Sequence, residues 1–131
     1  MRTKLRLSVT ILVSLAIGIV GSRVIDAQQT KPAPAYIVSE ADEIVDPTAI
    51  KEYGAKVSET LAPFSGHYHF IVRGKISGLD GKAPSGAVVI AFESVEQAKA
   101  WYNSPAYRAI LPIRLKSVKG RMFLAEGIPR Q

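Results

Sequence analysis

Two histidines, His67 and His69, stand two apart in a stretch, His67–Arg73, that is rich in β-branched and aromatic residues. In a strand that spacing points both imidazoles to one face. A neutral pair of this kind can ligate a metal, but a third ligand would have to be a carboxylate, and none is close in sequence. No metal or other cofactor is therefore expected. Arg73 follows His69 by four residues and, by period-two geometry, shares its face. A neutral imidazole beside a permanent cation suits binding or deprotonation of an acidic small molecule. The alternative is that Arg73 pairs with Glu93 or caps loop carbonyls. Tyr107 and Arg114 are seven apart, one helical face with Leu111 between them. The planar fork of Arg114 would clamp a carboxylate or, alternatively, tie its helix to the sheet or to a partner subunit. Trp101 and Tyr102 end a short amphipathic stretch, where aromatics either fill core or line a pocket, and Tyr53 is similar.

Other chemistries are excluded. The chain has no cysteine, so disulfides, thiolate nucleophiles and cysteine-based metal sites are ruled out. Its glycine-rich stretch lacks a Gly-x-Gly-x-x-Gly run between a strand and a helix, and no serine sits in an elbow motif.

These residues need positioning elements, and the sequence supplies signals for six. Ala35–Glu40 reads as a strand. Asp46-Pro47 offers an N-cap and a proline at the first helical position. Ile50, Tyr53, Val57 and Leu61 follow as one apolar stripe, closed by Pro63 and Gly66. His67–Arg73 is the second strand. Gly74–Gly86, with Asp80-Gly81 inside it, is a long connection, and Ala87–Phe92 is apolar at every position, as in a strand buried on both faces. Ser94 and Gln97 make a capping box for a helix to about Tyr102. Ser104-Pro105 restarts helix, Pro112 must kink or interrupt it, and Arg121–Gly127 forms the last strand after Gly120. The βαββαβ order predicts an α+β, ferredoxin-like fold: a four-stranded antiparallel sheet with two helices on one face. The third strand then needs cover on its other face, and a second copy of the sheet, making a homodimer, is the simplest cover.

Phe92-Glu93-Ser94, Ala98, the run Trp101-Tyr102-Asn103-Ser104-Pro105-Ala106-Tyr107 and Arg114 resemble the family catalogued as domain of unknown function 1330. The resemblance covers roughly residues 35–128. It implies a dimeric α/β barrel, a superfamily whose branches include quinol-type monooxygenases, haem-degrading enzymes and lactone isomerases. The family's usual Arg-Gly-Gly after the second strand is here Arg73-Gly74-Lys75, with the second glycine lost.

The N-terminus is an address. Arg2, Lys4 and Arg6 precede Leu7–Ser22, a charge-free run of 16 residues. As a helix this run spans about 24 Å, short of the hydrocarbon core of about 30 Å. Residues 1–27 are expected to be a signal peptide, or else an N-terminal membrane anchor, and 28–34 a linker to a domain at 35–128. Either reading exports the domain, to the periplasm or beyond the cell. Half of the net charge of +6 belongs to the leader, so nucleic-acid binding is not expected. The function expected is binding of a small anionic or aromatic molecule in the cleft between helices and sheet, by His69, Arg73, Trp101, Tyr107 and Arg114. The alternative is a non-catalytic homodimeric structural or interaction domain, and the sequence leaves open whether any reaction is catalysed.

Overall fold

The computed structural model describes residues 31–129. The expected leader and the first residues of the linker lie outside them. The order is β1 (Ala35–Ile44), α1 (Pro47–Leu61), a 3-10 turn (Ala62–Phe64), β2 (His67–Ile71), β3 (Gly86–Phe92), α2 (Val95–Tyr102), α3 (Pro105–Ser117) and β4 (Val118–Glu126). The strands form one antiparallel sheet in the order β2-β3-β1-β4. This is the expected ferredoxin-like arrangement, with the second helical region divided in two.

Local signals explain the helix starts. Asp46 accepts the Ala49 N–H at 2.9 Å, Ser94 the Gln97 N–H at 3.1 Å, and Ser104 the Tyr107 N–H at 3.2 Å. Proline at the first position of α1 and α3 sets φ where no N–H is needed. Of the two outcomes expected at Pro112, a kink or an interruption, the interruption does not occur: α3 runs through it from Pro105 to Ser117. Pro112 lies on the exposed side of the helix, where the Arg108 carbonyl that it leaves unpaired can meet water.

Each strand alternates faces. Ala35 and Ile37 on β1, and Ile90 and Phe92 on β3, join Tyr53, Val57, Leu61, Trp101, Tyr107 and Leu111 in the core beneath the helices. Full burial of such a side chain contributes on the order of 1.5–3 kcal/mol. The other face carries an apolar row across all four strands: Phe70 beside Val89, Val89 beside Val38, Val38 beside Phe123.

Strand limits differ from the sequence reading by two residues or more in three places. β1 runs on to Ile44 and β4 begins at Val118, because these polar ends pair with each other, aided by Lys119 Nζ on Glu43 at 2.9 Å. Gly120 therefore sits inside a strand rather than ahead of it. There β4 approaches β1 so closely, next to the bulge between Ala41 and Glu43, that a Cβ would overlap the Glu40 carbonyl. β2 stops at Ile71, leaving Arg73 beyond its end.

Candidate functional site

Between α1 and the helix-covered face of the sheet lies a cavity of 610 Å³. It exists because the residues that could fill it are small. Ala41 and Gly86 face it from the sheet, and Gly54 and Ala55 from α1. A Cβ on Gly54 would meet nothing within 4 Å. Apolar side chains, among them Ile50, Tyr68, Val88 and Ile90, make most of the wall.

Arg114 is the buried charge of this wall. It is 7% exposed, and its Nη2 donates to Ser39 Oγ at 3.3 Å and to the Arg121 carbonyl at 3.2 Å. No carboxylate lies within 4 Å of it among the described residues. The other N–H groups of its fork have no partner among the described residues, yet no side-chain nitrogen or oxygen there is buried and unpaired. Those donors are therefore not sealed off, and Arg114 is a residue of the cavity wall. The cavity wall contains three cations, Lys51, Arg73 and Arg114, and no acid. Lys51 and Arg73 are exposed, so the charge at the mouth meets water while that of Arg114 is held inside.

Two buried phenols stand beside the guanidinium. Tyr53 lines the cavity, and its hydroxyl lies 2.8 Å from the hydroxyl of Tyr107, which also lies 3.7 Å from Met122 Sδ. Burial raises the Tyr53 phenol far above its ordinary value, with Tyr107 adding to the rise. Burial raises Tyr107 as well, against the opposing pull of the Tyr53 hydrogen bond and of Arg114. Both phenols are neutral at neutral pH and keep their donors.

The structure divides the five residues expected to bind a ligand. Arg73 and Arg114 face one cavity. Tyr107 sits behind Tyr53, one layer back from the wall, on the same buried face of α3 as Leu111 and Arg114. Trp101 is not a cavity residue: it is 0% exposed, packed at a tilt against Tyr107 with ring centroids 4.1 Å apart, and its Nε1 donates to Thr60 at 2.9 Å. That aromatic has gone to the core.

His69 is on the wrong side of the sheet. Its ring packs edge-on against Tyr36, 5.5 Å between centroids, on the face away from the helices. The shared face expected for His69 and Arg73 fails because β2 bulges between Tyr68 and Phe70. The extra residue resets the alternation, so Phe70 joins His69 on the open face while Ile71 and Arg73 return to the cavity side. His67, opposite Ala91, is on the open face too. No cluster of three metal-ligating side chains occurs among the described residues. Ser39, Tyr68 and Met122 were not singled out from the sequence. Ser39 alone had a signal, a hydroxyl in the apolar phase of β1.

Residues 34–128 match the family described as domain of unknown function DUF1330. No curated protein matches the chain. Solved structures share the fold at low identity. RPA0582, a protein of unknown function from Rhodopseudomonas palustris, is 13% identical with a TM-score of 0.58, over 79% of this chain and 88% of that one. The hydroxynitrile lyase of Passiflora edulis is 14% identical with a TM-score of 0.53, over 73% and 94%. SnoaB, a cofactor-independent oxygenase from Streptomyces nogalater, is 12% identical with a TM-score of 0.51, over 76% and 95%. At these identities the likeness is one of fold, and the two named activities show that the fold does not select a reaction. The family match spans nearly all of the described domain, and on that ground the chain belongs to the DUF1330 family.

Proposed function

We propose that this domain is an exported, homodimeric binding module that takes a small molecule with an anionic oxygen and an apolar or aromatic body. The body fills the cavity under α1, and Arg114 anchors the anion. One observation carries the reading: a buried guanidinium in the cavity wall, with no carboxylate within 4 Å of it and only Nη2 paired among the described residues. Burying an unneutralised charge costs several kcal/mol unless something compensates it, and an anionic ligand would do so. Arg73 and Lys51 at the mouth would draw such a ligand inward. No catalytic step is assigned.

Export is supported by the basic start and charge-free run of residues 1–27, and N-terminal sequencing of the protein from an envelope fraction tests it. A soluble cytoplasmic protein beginning at Met1 would contradict it. Dimerisation is supported by the open sheet face, where Phe70 and Phe123 are 47% and 46% exposed at the two ends of an apolar row. Light scattering should give twice the chain mass at micromolar concentration, and a monomer would remove the dimer from the account.

Binding is tested by calorimetric titration with phenylacetate and its neutral isostere phenylacetamide. Phenylacetate should bind more tightly by at least tenfold, and Arg114→Gln should erase that preference. Equal affinities for the two probes in the unaltered protein would overturn the reading.

A further inference from the structure

The hydroxyls of Tyr53 and Tyr107 have two protons and, inside the protein, three acceptor positions: each other and the Met122 sulfur. Only one proton can lie in the 2.8 Å bond between them. In one arrangement Tyr53 donates to Tyr107, and Tyr107 donates to Met122 Sδ. In the other Tyr107 donates to Tyr53, whose proton then turns to the cavity that Tyr53 lines. A thioether is a weak acceptor, so the first arrangement is given up at little cost when a better acceptor arrives.

We infer that the phenol pair is a switchable donor, in which a ligand's anionic oxygen draws the Tyr53 proton to itself and Tyr107 turns to donate to Tyr53. This rests on the cavity being an anion site and deepens that reading. It narrows the ligand class to molecules whose inner atom is a deprotonated oxygen: a carboxylate, enolate or phenolate. Such an oxygen accepts from Arg114 and from Tyr53 together and has no proton of its own to compete. A neutral hydroxyl or amide oxygen accepts more weakly, without the charge that draws the Tyr53 proton out of its bond to Tyr107. No proton changes owner, since both phenols are neutral before and after and only their O–H bonds rotate. The raised titration of both hydroxyls supports this, because each retains its donor across the neutral range.

The test uses the protein as its host makes it, with phenylacetate and phenylacetamide as probes. Tyr53→Phe should weaken phenylacetate by about tenfold and leave phenylacetamide within about threefold, the loss of one charge-assisted hydrogen bond. A packing role would weaken both probes equally. A second measurement needs no variant: the Tyr53 ring carbon bearing the hydroxyl, labelled with carbon-13, should shift in NMR on saturation with phenylacetate and not with phenylacetamide. If Arg114→Gln loses phenylacetate while Tyr53→Phe binds as the unaltered protein does, the switch is wrong and the anion site stands. If the unaltered protein does not prefer phenylacetate, the anion site itself falls, and the switch with it.

Discussion

Around Tyr107, α3 meets the sheet through tilted, closely packed aromatic rings: Trp101 lies 4.1 Å from Tyr107 and 5.5 Å from Phe92 between centroids. No side-chain nitrogen or oxygen buried there lacks a partner: Trp101 Nε1 has Thr60, and Thr60 in turn donates to the Val57 carbonyl at 2.8 Å. Two turns on, around Arg114, the same helix meets the same sheet across Ser39, Ala41 and Gly86, and the space stays open. One end of the helix is close-packed and self-sufficient. The other has a cation and spare donors with nothing among the described residues to receive them. The difference teaches that burial alone does not mark function on this scaffold. Trp101, Tyr107 and Arg114 are all buried, and what separates them is whether the neighbours complete the group's chemistry.

The packed end depends most on its central ring. Trp101→Ala should cost about 3–5 kcal/mol in denaturant unfolding, since it removes the centre of the aromatic cluster. A loss below about 1 kcal/mol would mean that this end is as loosely filled as the other.

Alkaline pH probes the seam between the two ends. Both phenols are raised above the ordinary value of 10.0 in the folded chain, so the unfolded chain releases its protons first. Their contribution to stability is therefore fully present below pH 10 and is lost as pH rises beyond it. The fall between pH 10 and 11 should reach up to about 2 kcal/mol for the two groups. Tyr53→Phe should make that fall shallower. An unchanged slope would mean that Tyr53 titrates like a phenol in water.

At the open end, Arg114→Met should change stability by about 1 kcal/mol or less. It removes an unneutralised cation, keeps an apolar stem, and leaves Ser39 and the Arg121 carbonyl within reach of water in the cavity. A loss of about 3 kcal/mol or more would recast Arg114 as a structural brace. The smallest effect is expected at Gly54, which sits inside α1 with open space before it. Gly54→Ala should stabilise the protein by about 0.5–1 kcal/mol through helix propensity alone. A loss of stability would show that the cavity is closed against even a methyl group.

The packed end was largely legible in the sequence, because its signals are local. Asp46-Pro47, Ser94 and Ser104-Pro105 fix the helix starts, and the stripe Tyr53, Val57, Leu61 fixes the buried face of α1. The sevenfold spacing of Tyr107 and Arg114 held because Pro112 fell on the exposed side. The open end was legible only in part. Nothing local announces the bulge in β2 that separates His69 from Arg73, since a bulge is a property of pairing with β3 rather than of the β2 sequence. Polar strand ends such as Glu43 and Lys119 also lack a strand signature, and only their cross-strand partner makes them strand. A cavity is harder still to read, because it is made by what Gly54, Ala41 and Gly86 do not occupy.

The most direct measurement is a crystal structure of the protein with 4-bromophenylacetate, the bromine located by anomalous scattering. The carboxylate should lie within hydrogen-bond reach of Arg114, with the bromine pointing to the mouth near Arg73 and Lys51. A carboxylate at the mouth with the bromine buried, or a ligand only on the outer surface, would contradict Arg114 as the anchor of an anion site.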